Sequence, residues 1–470
     1  MNEAQPATAG QSRTGYYAVL TAICTIFLGI IVFFDSSYGG YDNWKHYLIS
    51  RHLYAHPELG LDTWGKPLFT VLASPFAYFG FKGAQLFNLI TCLLFILSAR
   101  RILNFLGVER HWSEPIFMVG APVYFACVTS ALTEPLFVLF LVLSIELFLK
   151  ERKIFAILLL SCLPFIRNEG YFMWLPFGLL CLNRRDWWKG VFFAGGTLLF
   201  AIITGIVHGD LLYVIKSNHY LNHDGHYGSG TWFHFFRLMP LWFGLAGCVL
   251  LIAYFIPRKG KSEITDGKKW KQFHLLTMGC FLIYLFLHVV FWALGIMGSL
   301  GLERVMAGNS ALGFLALYAW LQSRKFNNNK RLWHYAPVFL IVFQMSLLVY
   351  IIRPYSLDGT GEMNLKASNW IRENVDIAST RVHLFDPFTI VYLDLDSYDQ
   401  SRCGEISANP ATHQFESGDI ILWDVYCDSE CGLEEKVFED GNYTKLYFDQ
   451  DSTLITYKGV HYKLTIYRKN

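Results

Sequence analysis

The sequence predicts a polytopic α-helical membrane protein that ends in a small soluble α/β domain. Three observations predict it. Of the 470 residues 53% are hydrophobic and only 16% charged, more apolar surface than one soluble core can hide. Apolar runs close to the roughly 20 residues that cross about 30 Å of hydrocarbon as a helix recur along most of the chain. The last stretch then changes character: residues 356–470 carry ten Lys/Arg against twenty Asp/Glu, a net of −10, whereas everything before them sums to +12. The boundary at Arg353-Pro354 is therefore a change of solvent and of charge sign.

Taken in order, the first apolar run is Tyr16–Phe34, preceded by the lone basic Arg13 and followed by no small-residue cleavage site. It reads as a retained span rather than a signal peptide. Further runs lie at Ala84–Arg101, Pro115–Leu132, Gly190–Val207, Phe235–Ile256, Gln272–Met297, Val305–Gln322 and Tyr335–Ile352. Three shorter pieces, Pro135–Leu149, Ile154–Ile166 and Gly170–Leu182, bring the count to about eleven spans. Lys and Arg gather in alternate loops: Arg100, Arg101 and Arg110; Lys150, Arg152 and Lys153; Arg184, Arg185 and Lys189; the Arg258–Lys271 segment; and Arg324 to Arg331. The positive-inside rule makes those loops cytoplasmic. The N-terminus is then cytoplasmic, and an odd number of spans delivers the tail to the other face. The expected domains are a membrane domain over residues 1–355 and an extracytoplasmic domain over 356–470.

Within the tail, Asn364–Asn374 has helical spacing. Arg381–Phe385, Ile390–Leu393, Asp419–Trp423, Lys445–Phe448, Thr453–Tyr457 and Tyr462–Tyr467 alternate or run apolar as strands do. Seven of the ten cysteines sit in apolar runs as small core residues. Only Cys403, Cys427 and Cys431 lie in soluble sequence, where one pair could oxidise outside the cytoplasm and leave one thiol over.

Polar groups near the membrane boundary are costly, so their clustering points to function. The first outer loop, residues 35–83, is too long for a connector and carries Asp35, Asp42, His46, Arg51, His52, His56, Glu58, Asp62 and Lys66. From Tyr41 to Ile49 the aromatic and apolar residues recur at helical spacing, with Asp42 and His46 four apart on one face. This reads as a helix lying on the membrane surface with its carboxylate toward the protein. In Trp64-Gly65-Lys66-Pro67-Leu68-Phe69 a lysine marks re-entry into the membrane, where a cation suits an anionic head group.

The order of motifs resembles the C-type membrane glycosyltransferases, and within them the protein mannosyltransferase and lipid A aminoarabinose transferase branch. After the first span comes Gly40-Tyr41-Asp42-Asn43-Trp44, then Lys66-Pro67-Leu68, then Thr133-Glu134-Pro135 before the fourth span. Arg167-Asn168-Glu169-Gly170 lies between two short spans, Leu302-Glu303-Arg304-Val305 precedes a late one, and an α/β tail follows. The resemblance covers nearly the whole chain, with a single Asp where the family has Asp-Glu and Leu where it has a second Pro.

What the resemblance implies is inverting transfer of a sugar from a polyprenyl-phosphate-linked donor to a glycan, lipid or protein acceptor on the outer face of the bilayer. Asp42 would then be the general base, with Lys66 and Arg304 at the donor phosphate. His46, Asp62, Glu134, Arg167 and Glu169 would contact substrate. Elementary chemistry agrees, because an acceptor hydroxyl needs a base and a leaving phosphate needs cations or donors as its charge grows. Each role has a plainer rival. Asp42 can cap its helix, Lys66 can snorkel to head groups, Arg304 can pair with Glu303, and Glu134 and Glu169 can serve helix ends.

His219, His223 and His226 have a spacing that suits a divalent metal, although loops rich in His, Asn and Gly are common without one, and no cofactor is expected. Gly225–Gly230 reads as a mobile flap. With no Walker loop or dinucleotide fingerprint, a nucleotide-driven step and a nucleic-acid partner are not expected. Two other readings remain open on the sequence. A lipid-linked sugar flippase would show repeated spans and broken midplane helices. An oligosaccharide-transferring enzyme of the same superfamily could use a metal through the His-rich loop.

Overall fold

The structure is a computed structural model that describes residues 9–183, 186–218, 227–256, 267–323, 330–351, 353–456 and 459–470. It divides into two compact units, one of Met1–Gly39 with Glu58–Tyr355 and one of Gly40–Pro57 with Ser356–Asn470.

The first unit is helical. Among the described residues four helices are long and apolar enough to cross a membrane: Arg13–Phe33, Phe81–Phe105, Trp187–His208 and Gly267–Leu294. Helices Glu134–Leu149 and Ala307–Gln322 are shorter and buried on nearly every side. An all-round apolar sequence makes a central helix in this way, and both belong to the main core cluster. Outer helices keep large apolar side chains uncovered, including Phe33, Leu198, Ile206, Ile252 and Phe339. Such surface suits lipid and not water.

Two runs read as continuous spans are interrupted. Pro115–Leu132 is split into Glu114–Met118 and Pro122–Val128, because Pro122 has no N–H to continue a helix and is tolerated only in a first turn. Phe235–Ile256 is likewise cut into His234–Arg237, Met239–Trp242 and Gly244–Phe255, around Pro240 and a Gly244 whose φ of +84° no L-residue adopts readily.

The second unit contains a five-stranded sheet: β1 (Val382–Leu384), β2 (Cys403–Glu405), β3 (Ile420–Asp424), β4 (Tyr443–Ile455) and β5 (His461–Lys469), in the order β2-β1-β3-β5-β4. The first three run parallel, and β5 is antiparallel to both β3 and β4. β3 is central and buried along its whole length, as a strand covered on both faces should be. Helix Gly359–Asn374 begins where the Asp358 side chain accepts from Gly361 N.

The expected strand Ile390–Leu393 is instead part of helix Pro387–Tyr392, capped by Asp386 accepting from Thr389 N. An N-cap acid followed by proline at the first helical position overrides a short apolar run. The expected Lys445–Phe448 and Thr453–Tyr457 strands fall largely in the one long strand β4, with register shifts at Lys445/Tyr447 and Asp451/Ile455. Cys403, Cys427 and Cys431 are buried thiols, not a disulfide.

Helix Gly40–His52 belongs to the second unit and has seven buried residues, among them Trp44, His46 and Tyr47. The sequence led to a helix resting on lipid. Two of its aromatic side chains meet the C-terminal domain, with Trp44 5.3 Å from Phe388 and Tyr41 5.4 Å from Phe385, ring to ring.

Candidate active site

In the helical unit the expected polar residues gather around one guanidinium. Arg167 Nη1 donates to Glu134 Oε1 at 2.6 Å, and Nη2 to Glu169 Oε1 at 2.9 Å. The local fold explains the approach. Glu134 opens helix Glu134–Leu149 just ahead of Pro135, where a carboxylate is favoured by the helix dipole. Arg167 and Glu169 flank a turn that doubles back on Leu163-Pro164. A Cβ on Gly170 would lie 2.6 Å from the Leu163 carbonyl carbon, so only glycine lets that turn close.

Two residues not foreseen complete the cluster. Tyr284 OH donates to the Val305 carbonyl at 2.9 Å and lies 3.4 Å from Glu169 Oε1. His288 Nε2 is 3.1 Å from that same oxygen, without the angle of a hydrogen bond. Both come from helix Gly267–Leu294, four residues apart and so on one face. A histidine inside an apolar 28-residue helix was the available signal. Glu134 Oε2 and Arg167 Nε are buried without a protein partner, so the cluster retains hydrogen-bonding capacity for something else.

Lys66 occupies a second position. It precedes helix Pro67–Ala77 with φ +65°, a left-handed conformation unusual for lysine and costing on the order of 1–3 kcal/mol. The turn is fixed on both sides: Asp62 Oδ1 accepts from Trp64 N at 2.8 Å and Thr70 Oγ1 donates to the Gly65 carbonyl at 2.9 Å. Lys66 itself is buried, its Nζ donating to the Thr63 carbonyl at 3.1 Å. The Thr63 hydroxyl donates to the Ser217 carbonyl at 2.6 Å, and Asn218 lies 3.3 Å from the Asn168 amide beside Arg167. A continuous polar path thus joins the Lys66 turn to the Arg167 turn.

Arg304 sits on the short turn Glu303–Met306 and donates through Nη1 to the Gly39 carbonyl. Its neighbour Glu303 accepts from Tyr38 OH at 2.9 Å. Asp42 and His46 lie in the other unit, on helix Gly40–His52, Asp42 in its first turn and half-buried, His46 buried.

His219, His223 and His226 lie outside the described residues. Among the described residues no group of three His, Cys, Asp or Glu could hold a metal ion. Of the glycine-rich segment read as a flap, the described part is pinned: Gly230 N donates to the Trp292 carbonyl at 3.0 Å.

No protein-family model matches this chain, and no curated protein matches it. Among solved structures, the crystal structure of ArnT from Cupriavidus metallidurans bound to undecaprenyl phosphate superposes with a TM-score of 0.58, covering 98% of each chain at 12% identity. The chain has the ArnT fold. A fold of this kind is what the order of motifs led to. At 12% identity the likeness lies in the helical unit and tail as a whole. The kinship with ArnT is therefore one of architecture, and the chemistry rests on the side chains just described.

Proposed function

We propose that this protein is an integral membrane glycosyltransferase that moves a sugar from a polyprenyl-phosphate-linked donor to a glycan, lipid or protein acceptor on the extracytoplasmic face. The observation that carries the reading is the full-length match to ArnT, whose crystal structure holds undecaprenyl phosphate, combined with a partly buried cluster of Arg167, Glu134 and Glu169 in the helical unit. The N-terminus is cytoplasmic, the tail is extracytoplasmic, and a bacterial inner membrane is the proposed location.

In the proposed reaction the acceptor hydroxyl attacks the anomeric carbon from the face opposite the lipid phosphate. The new C–O bond forms as the bond to the phosphate oxygen breaks, with inversion. Asp42 takes the hydroxyl proton, and polyprenyl phosphate leaves with the bonding pair, its growing charge met by Lys66 and Arg304. Burial of Lys66 supports this role, since a desolvated ammonium binds phosphate more strongly than an exposed one. The Arg167, Glu134 and Glu169 cluster holds sugar or acceptor hydroxyls, with His46 and Asp62 as further contacts.

The test is release of free polyprenyl phosphate from a panel of lipid-linked sugars by the purified protein in detergent. Asp42→Asn should lower release by about 10²- to 10⁴-fold without loss of folded protein. Normal turnover by Asp42→Asn would remove it as the base. No release from any donor by intact protein would favour a lipid-linked sugar transporter.

A further inference from the structure

Helix Gly40–His52 has 13 residues, a length at which an isolated helix is marginal in water. Something must hold it. In open sheets with parallel strands, the crevice outside the carboxyl ends is where ligands bind, and here that edge is formed by β1, β2 and β3. Three acids stand at those ends: Asp386 just past β1, Glu405 as the last residue of β2, and Asp424 as the last of β3. Two of them are used within the domain, because Asp386 accepts from Thr389 N and Asp424 from Tyr426 N and Cys427 N.

Glu405 reaches out to the helix. Both its carboxylate oxygens accept from Lys45 Nζ, at 2.5 and 2.6 Å, with the two side chains only 13% and 23% exposed. Around this pair Tyr41 stacks on Phe385 and Trp44 abuts Phe388. The far end is tied by Arg51 to Asp394 at 2.8 Å and by His56 to Asp396 at 3.0 Å.

We infer that the C-terminal sheet binds helix Gly40–His52 as its ligand, and that Lys45 and Glu405 are positioning residues that fix the orientation of Asp42. Lys45 follows Asp42 by three residues, about one helical turn, so rotation of the helix that swings Lys45 swings Asp42 with it. The tail is thus part of the reaction without touching substrate. This deepens the proposed role of Asp42 and rests on it for its catalytic half; the docking half stands without it.

The experiment uses the full-length protein in detergent, comparing wild type, Glu405→Lys, and the double exchange Lys45→Glu with Glu405→Lys. Two readouts are taken: amide hydrogen exchange over residues 40–52 and over β3 and β5, and polyprenyl phosphate release under saturating and limiting donor. Glu405→Lys should speed exchange in residues 40–52 at least tenfold, leave β3 and β5 unchanged, and lower kcat about tenfold with KM for donor within twofold. The double exchange should restore both. Unchanged exchange over residues 40–52 in Glu405→Lys overturns the docking. Faster exchange with kcat intact, in a protein where Asp42→Asn is inactive, overturns the positioning role. Faster exchange in a protein where Asp42→Asn is fully active leaves the docking in place and refutes the reading of Asp42 as base.

Discussion

The helical unit holds two arginine networks, and their difference separates a local staple from the cluster proposed as a site. Arg100 pairs with Glu114 fourteen residues along the chain and passes its other nitrogen to Asn104 and the Val108 carbonyl. Arg100 there meets one carboxylate, an even balance of charge. Arg167 instead faces two carboxylates from separate segments, with Tyr284 and His288 brought from a third. Each network leaves an arginine Nε and one carboxylate oxygen without a protein partner, so unsatisfied atoms do not distinguish them. Charge balance and sequence distance do. The first network closes a local hairpin, whereas the second sets two carboxylates against one guanidinium and reaches a helix 33 residues away.

The largest expected effect tests the staple. Both side chains of the Arg100–Glu114 pair are almost wholly buried, at 4% and 0% exposure. Glu114→Ala strands the arginine and should cost about 3–5 kcal/mol of stability, read as a lowered unfolding midpoint in detergent. Replacing both partners by Met and Leu should recover most of that loss, and polyprenyl phosphate release per folded molecule should stay within twofold of wild type. If the double variant remained as unstable as the single, the pair would hold something more than itself.

Glu134→Gln tests the other network. The amide keeps an acceptor for Arg167 and removes one of two negative charges, so the midpoint should move by less than about 1 kcal/mol. Release should nevertheless fall about 100-fold, the scale of a lost site contact. The opposite pattern, with stability lost and turnover kept, would make the Arg167 cluster a second staple.

How much of this was legible depends on whether a residue's partner is local. Helix Gly40–His52 and the longer strands could be expected because periodicity is a property of neighbours along the chain, and the Lys66 turn because Lys-Pro stands where an apolar run begins. The partner of that helix could not, since Lys45 meets Glu405 from 360 positions away and lipid would satisfy Trp44 and Tyr47 equally well. Tyr284 and His288 were hidden for the same reason: nothing in an apolar run tells which face meets Arg167. β2 has only three residues and carries no period at all. The Pro387–Tyr392 helix carries an Asp-Pro start signal, yet the apolar run behind it has strand composition and points the other way.

A third buried charge sharpens the contrast, since Asp424 in the tail is held by hydrogen-bond donors and not by an arginine. Its carboxyl is pushed up to about 6 by burial, against hydrogen bonds from Cys427, Tyr426 and Tyr462 that favour the ionised form. A carboxyl raised on folding contributes stability that is full below its unfolded value near 3.9 and is lost as pH rises through about 6. Asp424→Asn keeps the cap and removes the charge. It should therefore raise the unfolding midpoint of the full-length protein at pH 8, by roughly 1–3 kcal/mol, and change little at pH 4. A gain of equal size at both pH values would mean that the amide packs better and that charge is not the cause.

The smallest effect belongs to Lys66, where backbone and side chain can be separated. Its φ of +65° is free to glycine and strained for any other residue, so Lys66→Gly should be more stable than Lys66→Ala by about 1 kcal/mol. Both lack the cation. If the lysine is kept in a strained turn because its ammonium meets the donor phosphate, the two variants should lose donor affinity equally while acceptor affinity holds, despite their different stabilities. That pairing joins Lys66 to the Arg167 side of the comparison, the side whose proposed role is to hold a substrate. Donor affinity that tracked stability across the two variants would return the lysine to the staples, as a residue that orders the turn before helix Pro67–Ala77 and nothing more.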